Sequence, residues 1–527
     1  MTSLFASFWP WATFLALVVF IARPLFDPLR SVPGPFIARW TDLWYMWHMI
    51  RGDFEKTNLK LHQTYGPIVR YGPYRYSISE SSAIRAIYGP GTQFAKSSWY
   101  SSWTNPGSWS LFADQDIKRH AKGRSLFQAT YSMSALVDYE QYVDEGADVL
   151  FKRLDEIVES GDVVDMRHWF QCYAFDIIGA ITYGQRFGFL DQCEDIESLM
   201  RTLDGHLSYA TIAGLLPSLH PVLFALRNWW AGAKGAGRAY LLSFTMKNID
   251  RHNSNLATSM GSYGKPLASG MLVDEEKEDH QPQSFLSKFL HKHHEDAAKF
   301  THNHVVASCI SNIVAGSDTT AISLSATLYH LLTTPNSLEK LREEIATAEV
   351  NGLLSAKPTF KETSKMPYLQ SVIKEALRVH PATGLPLERV VPSGGFQLGS
   401  YFFPAQRIVG INTWVAHRDK MVFGDDADEF RPERWLIDDA ERLSVMNRHY
   451  MPFGMGSRVC IGRHIGILEM TKLIPRIARD FDFELEDVKD PNAGKATWPT
   501  QNVWFVKPTN FRLRVKARSL PVTGLKN

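Results

Sequence analysis

Four cysteines, at positions 172, 193, 309 and 460, are too few and too scattered for a disulfide framework in a chain of 527 residues. None pairs as C-x-x-C, which argues against a structural zinc site. No N-x-[ST] sequon occurs, which suits a cytosol-facing domain. There is no long basic run, and the net charge is only +2, so nucleic acid is not expected as a partner. No flavin or nicotinamide fingerprint and no internal repeat is present. What remains is an ordinary globular composition, 45% hydrophobic and 21% charged, long enough for several domains or one large enzyme domain.

Charge is also missing from Met1 to Ala22, where "FWPWATFLALVVFIA" is strongly apolar and Pro10 is the one residue that interrupts a helix. The length matches the roughly 20 residues a bilayer core requires. No basic residue precedes the run, which disfavours a cleaved signal peptide. Arg23, Arg30 and Arg39 follow it, which places the body in the cytosol. Residues 1–22 are therefore expected to be one N-terminal transmembrane helix. Residues 23–50, with "RSVPGPF", are expected to be a proline-containing hinge and linker, and 51–527 a catalytic domain.

Arg70 to Ser79 predicts strands around a Gly-Pro turn. Helical patterns fill about 130–250 and 285–380. Between them, His252 to Ser284 loses apolar content and carries "DEEKED", an exposed connector. Strand-like runs fall at Phe396–Leu398, Arg407–Ile411 and Phe511–Val515. The fold class expected is mainly α with small β-sheets.

Within His304 to Pro335, Asp318 is the sole Asp, Glu, Lys or Arg. Eight Ser, Thr and Asn residues between Ser308 and Ser325 make the segment too polar for lipid, so it predicts a buried central helix ended by proline. Its middle, "AGSDTT", sets Gly316, Asp318, Thr319 and Thr320 together. A buried Asp is costly unless paired or functional, and hydroxyls bonding back to carbonyls bend a helix. By itself the string fits a helix kinked for packing, with Asp318 in a salt bridge, better than a functional site.

Further on, "KEALRVHP" holds Glu375 and Arg378 on one helical face, opposite Leu369, Val372, Ile373, Ala376 and Leu377. The helical wheel alone reads this as a solvated pair of little energetic weight. "FRPERW" adds Arg434, "LERVVPSGG" adds Arg389, and "RHAKGR" sets His120 and Arg124 one turn apart. "MPFGMGSRVCIG" places Cys460 in a loop with Phe453, Gly454, Gly456, Arg458 and Gly462. Glycines permit close approach, an arginine fork suits a carboxylate or phosphate, and a thiolate binds metal or attacks carbon.

The order A-G-x-D-T-T, E-x-x-R, P-E-R, F-x-x-G-x-R-x-C-x-G resembles the cytochrome P450 family of haem-thiolate monooxygenases, and matching strings run from Pro33 to about Arg479. "KSSWY", "RHAKGRSLFQATYSMSALVDYE" and "GINTWVAHRDKMVFGDDADEFRPERW" are similar to the pisatin-demethylase-like group of fungal members. The resemblance implies the cytochrome P450 fold and haem b (heme, iron protoporphyrin IX) as cofactor. Cys460 becomes the axial metal ligand, its thiolate favouring O–O cleavage. Phe453 packs beside the sulfur, and loop N–H groups point at it. Arg458, Arg124 and Arg389 pair with haem propionates. His120 stands where many members have Trp and keeps a hydrogen-bond donor there. Glu375, Arg378 and Arg434 become a buried network supporting the haem core, the reverse of the wheel reading. Asp318 and Thr319 become the catalytic pair that delivers protons beside O2, with Gly316 leaving room for it.

The resemblance further implies NADPH electrons from a separate membrane-bound NADPH–cytochrome P450 reductase, docking on the proximal face near Arg463. It implies a single-pass endoplasmic reticulum membrane protein with a cytosolic catalytic domain. Ser97–Phe112, Ser208–Phe224 and "ATGLPLE" after the E-x-x-R helix match the family's substrate-facing regions, and their apolar content suits a hydrophobic small molecule. For the aromatics among them, plain core packing is an equal alternative. The fungal resemblance suggests hydroxylation, demethylation or epoxidation in secondary metabolite biosynthesis. The rival readings are a haem-thiolate isomerase or dehydratase without external O2, a non-catalytic haem protein, and a hydrolase built on Cys460 and His464. The last needs an orienting third residue and an oxyanion hole, and it leaves the arginines unexplained.

Overall fold

A computed structural model describes residues 18, 20, 22–232, 237–261, 282–486 and 498–518, with side chains 255–261 set aside. The expected 1–22 anchor, apart from Val18, Phe20 and Ala22, lies outside the described residues, as does most of the 252–284 connector. The start of that connector, to Gly261, continues the helix Arg238–Gly261.

The structure is mainly helical with small sheets. Six helices build the site: α1 (Ile117–Phe127), α2 (Met166–Tyr183), α3 (Leu199–Ala213), α4 (His302–Thr333), α5 (Pro367–Val379) and α6 (Arg463–Asp480). The strands are β1 (Ile68–Gly72), β2 (Arg75–Ile78), β3 (Ala95–Lys96), β4 (Val163–Asp165), β5 (Arg389–Val390), β6 (Phe396–Leu398), β7 (Tyr401–Phe403), β8 (Ile408–Gly410), β9 (Phe481–Leu485), β10 (Thr500–Val503), β11 (Phe505–Pro508) and β12 (Arg512–Ala517). The largest sheet has the order β1-β2-β8-β5-β3, and β4-β12-β9, β10-β11 and β6-β7 form small ones.

Every strand-like run expected from sequence appears within a residue or two. The two- and three-residue strands β3, β4 and β5 are too short to show a period of two.

Helix α4 is the long helix with one charge. Its first turn is closed by the Thr301 N–H donating to His304 Nδ1 at 3.0 Å, and it stops at Thr333, two residues before Pro335. At 1.5 Å per residue it is about 48 Å long and crosses the whole domain. Among the described residues it is the one helix long and apolar enough to cross a membrane, yet its middle is buried against α2, α5 and α6.

The folded body begins before residue 51, which corrects the expected 23–50 linker. Leu29, Val32, Ala38, Tyr45 and Met49 are buried. Arg70 pairs with Asp27 at 2.9 Å and donates to the Leu29 carbonyl at 2.7 Å, and its backbone N–H donates to the Pro33 carbonyl at 2.8 Å. These bonds fasten the proline segment to β1.

Candidate active site

The cysteine loop is shaped by its glycines. Gly454 and Gly456 have φ of +70° and +65°, a region that disfavours side chains. A Cβ on Gly456 would sit 1.8 Å from the Tyr88 carbonyl oxygen. The Cys460 N–H donates to the Phe453 carbonyl at 2.8 Å and closes the loop. Cys460 stands just before α6, at a helix N-terminus, where negative charge is favoured. Burial raises its thiol's pKa, while the N–H groups of Gly462 and Arg463 and the charges of Arg124 and Arg463 pull it down.

Helix α4 faces this loop. Ala307, Ser308 and Ser311 line one cavity with Ile461, the neighbour of Cys460, and with Trp109, Leu111, Phe127 and Tyr131. Ala315 and Thr319 continue the i, i+4 row along α4; Ala315 is exposed, and Thr319 is half-buried between the buried Asp318 and Thr320. The Thr319 hydroxyl donates to the Ala315 carbonyl at 2.7 Å. Asp318, one residue away, turns aside. It is buried, accepts from Gln171 of α2 at 2.6 Å and pairs with Lys507 of β11 at 2.6 Å. At Gly316 a Cβ would lie 2.8 Å from Ile178 of α2. The glycine lets α2 and α4 approach, and that contact takes up its side-chain direction.

The basic residues converge, and sequence reading missed one of them. His120 and Arg389 are buried, and Arg124 and Arg458 partly so. Lys96 joins them. It is buried, and β3 pairs with β5 so that Lys96 stands directly opposite Arg389. Like charges in that position repel. Burial, then Arg389 and Arg458, hold the Lys96 ammonium's pKa well below the usual lysine range. His120 is pushed to about 3 by burial and by Arg458, Lys96 and Arg124. Arg458 is lowered to about 10, again by burial first and then Arg389. Asp114 is the acid that opposes these shifts, and its carboxylate is already bound by Arg119 at 2.8 and 2.9 Å. Arg124 donates to the Val459 carbonyl at 2.8 Å and Arg458 to the Asp114 carbonyl at 2.6 Å, yet Arg458 Nη2 is buried with no partner among the described residues.

The Glu375 network is buried, as the resemblance implied and the helical wheel did not. Arg378 donates twice to Glu375 at 2.8 Å and to the carbonyls of His417, Ala427 and Glu429 at 2.7, 2.6 and 2.8 Å. Arg434 reaches Glu375 at 3.2 Å, and the Trp435 indole N–H donates to it at 2.9 Å. His417, unnoticed in sequence, joins the network to the cysteine loop. Its Nδ1–H donates to the Arg378 carbonyl at 3.0 Å and its Nε2 accepts the Met451 N–H at 2.9 Å.

Several aromatics expected to face substrate are core. Trp99, Tyr100 and Trp103 are buried around Trp504 at centroid distances of 5.0, 6.1 and 5.6 Å. Trp504 itself has φ +81°, a strained conformation for so bulky a residue. Glu388 is also withdrawn, paired with Arg75 and accepting from Ser97 at 2.6 Å. Trp109 and Leu111 alone of the 97–112 stretch line the cavity beside Ile461. A second cavity of about 510 Å³ lies along that stretch, lined by Asn105, Trp109, Asp114, Arg119 and Pro217 among others. His464 contacts Arg463 at 3.2 Å and gains no orienting acid among the described residues, which leaves the hydrolase reading without support.

One thiol at a helix start, with Lys96, Arg124, Arg389 and Arg458 massed beside a neutral His120 that can donate a hydrogen bond, fits a single group that carries both a metal and two carboxylates. Haem b is such a group, and a haem-thiolate protein is the class this arrangement defines. A family model described as Cytochrome P450 matches residues 35–509. The chain is 36% identical to a pisatin demethylase of Fusarium vanettenii, over 95% of this chain and 91% of that protein. It is 35% identical to the cytochrome P450 monooxygenase cicH of Emericella nidulans, over 93% and 94%, and 32% identical to pkfB of the same organism, over 94% and 93%. The chain belongs to the cytochrome P450 family. It is a monooxygenase whose haem is held by a cysteine thiolate and whose electrons come from a redox partner reductase.

Proposed function

We propose that this protein is a membrane-anchored haem-thiolate monooxygenase that inserts one oxygen atom from O2 into a hydrophobic small molecule of fungal secondary metabolism, by hydroxylation, demethylation or epoxidation. The observation that carries the reading is the convergence of Lys96, His120, Arg124, Arg389 and Arg458 with Cys460. The fungal relatives support the metabolic setting. Membrane anchoring, in the endoplasmic reticulum, is supported by the apolar 1–22 segment. It is supported as well by the exposed Phe26, Phe36, Ile37, Trp47, Trp229 and Trp230, large apolar side chains of the kind that seat in a membrane interface.

Bound haem supplies the activation of O2 and its insertion into substrate. The chain supplies the setting. Cys460 gives the thiolate, with the N–H groups of Gly462 and Arg463 limiting its charge. The five basic side chains would hold the propionates. Thr319, half-buried further along the same face of α4, keeps its hydroxyl hydrogen on the Ala315 carbonyl. Asp318 holds and passes protons at its carboxylate, and Lys507 links it to Asp204, which is half-exposed. Trp109, Leu111, Phe127 and Tyr131 exclude water beside α4.

The test is expression in microsomes with a fungal NADPH–cytochrome P450 reductase. The reduced, CO-bound protein is expected to show the red-shifted Soret band of thiolate ligation. With candidate terpenoids, polyketides or alkaloids under labelled O2, hydroxylated or epoxidised products are expected to carry label, and a demethylation to release formaldehyde, only when NADPH is present. An unshifted band, or turnover without NADPH and O2, would refute the reading.

A further inference from the structure

On the side of α2 away from the cavity, the chain from Gly188 to Ser198 closes over the helix. Cys193 has φ +52°, and Glu197 and Ser198 have +51° and +59°. Such angles are uncommon outside glycine and persist where the surroundings enforce them. Here Asp176 of α2 accepts the N–H groups of Gly188, Phe189 and Leu190 at 2.8, 3.1 and 3.1 Å. Arg153 donates to the carbonyls of Leu190 and Asp191 at 3.1 and 2.6 Å. The turn they hold brings Cys193 to His168 and Cys172, which stand one turn apart on α2.

The ligand atoms of His168, Cys172 and Cys193 all lie within 4.8 Å of one another, and His168 Nε2 is 3.7 Å from Cys172 Sγ. Tetrahedral zinc, with Zn–S about 2.3 Å and Zn–N about 2.0 Å, sets neighbouring ligand atoms roughly 3.5 to 3.8 Å apart. Two sulfurs and an imidazole suit zinc and reject magnesium or calcium. Cys172 is buried while His168 and Cys193 are half-buried, so one side of the trio stays open. We propose that His168, Cys172 and Cys193 bind a zinc ion, with water as the fourth ligand. On binding, His168 Nε2 leaves the Cys193 carbonyl, now 3.0 Å away. The ion fastens the 188–198 segment to the helix that presents Gln171 to Asp318. No C-x-x-C marks this site in sequence, because its ligands come from one helical turn and a distant bend.

The experiment uses full-length, haem-loaded protein stripped of loosely held metal and titrated with zinc chloride against a fluorescent zinc indicator. One zinc per chain is expected, and zinc-edge X-ray absorption is expected to show two sulfur neighbours at about 2.3 Å and one nitrogen. Cys193→Ser, on the half-buried bend, is expected to weaken zinc at least about tenfold, the loss seen even for supporting residues. His168→Gln is expected to do the same. Both variants should keep the reduced CO spectrum, which shows that they fold and that Cys460 is not the ligand. Unchanged zinc affinity in Cys193→Ser, a sulfur-free zinc shell, or mass spectrometry showing Cys172 and Cys193 joined as a disulfide in the purified protein would each overturn the proposal.

Discussion

The Asp318 carboxylate meets the Lys507 ammonium at 2.6 Å, and Lys507 also pairs with Asp204, whose side chain is half-exposed. The pair thus joins the interior beside Thr319 to solvent. Asp318 is buried, so losing its partner leaves a charge in a poorly solvating place. Lys507→Met is expected to destabilise the haem-loaded enzyme by about 3–5 kcal/mol, the range for a buried pair broken on one side. Adding Asp318→Asn is expected to restore most of that loss. Denaturant unfolding of the two single variants and the double variant measures the coupling, and strict additivity would contradict it.

Thr319 is expected to govern how much NADPH ends in product. Its hydroxyl is the polar group that α4 presents at the end of the row from Ser311 through Ala315. Thr319→Ala keeps the helix, since alanine favours it, and removes that hydroxyl. Product per NADPH is expected to fall severalfold while hydrogen peroxide rises and NADPH consumption continues. Unchanged coupling would remove Thr319 from proton delivery.

Arg378 makes five hydrogen bonds from a fully buried guanidinium, two to Glu375 and three to carbonyls of the segment that leads to the cysteine loop. Arg378→Ala takes two charged hydrogen bonds from the buried Glu375 and strands three carbonyl acceptors at once, at a cost of about 3–5 kcal/mol. Little haem-loaded protein is expected. Arg378→Lys keeps the charge without the fork and is expected to fall between. The ratio of CO-binding haem to total protein decides, and full haem incorporation in the alanine variant would count against the network.

His417 links the same network to the cysteine loop in a way that depends on pH. Donating from Nδ1 and accepting at Nε2 requires a neutral ring. Burial, and then the Arg378 charge, hold its pKa at about 3, against 6.5 in an unfolded chain. Between those values the unfolded chain takes up a proton that the folded chain does not. The stabilisation is complete above pH 6.5 and is lost progressively as pH falls towards 3. At pH 5 the loss from this residue is about 2 kcal/mol. His417→Gln is expected to flatten the fall in unfolding free energy between pH 7 and 5 by that amount, whatever its effect at pH 7.

The parts of this site that were legible in sequence are those whose residues lie close together in the chain. The cysteine loop and A-G-x-D-T-T each lie within a dozen residues, so each could be matched to a known family as a string, although A-G-x-D-T-T alone read as a packing kink. The partners of Asp318 were not legible, because Gln171 and Lys507 lie 147 and 189 positions away. The helical wheel misread Glu375 and Arg378 for the same reason. It compares α5 only with itself, whereas the carbonyls of His417, Ala427 and Glu429 come from chain that folds over the polar face. The packing partner of Gly316 was not legible either, since nothing local announces Ile178. Lys96 reads as an ordinary lysine until strand register sets it against Arg389.

That register makes Lys96 the most informative residue to change. Unfolded, its ammonium titrates near 10.5, and in the folded chain burial and the facing arginines lower that value. In haem-free protein the unfolded chain therefore binds a proton that the folded chain resists, and stability rises as pH climbs towards 10.5. Lys96→Met removes the repulsion, so the haem-free variant is expected to be more stable than its parent and less dependent on alkaline pH. The same change takes a cation from the propionates. A hydrogen bond to a charged group contributes about 1.5–3 kcal/mol, so haem transfer to an acceptor such as apomyoglobin is expected to quicken about tenfold or more. Opposite signs in the two measurements are the mark of a charge built for an anion that the polypeptide itself does not provide. A variant less stable without haem, or one that keeps haem as firmly as its parent, would show Lys96 to be a packing residue.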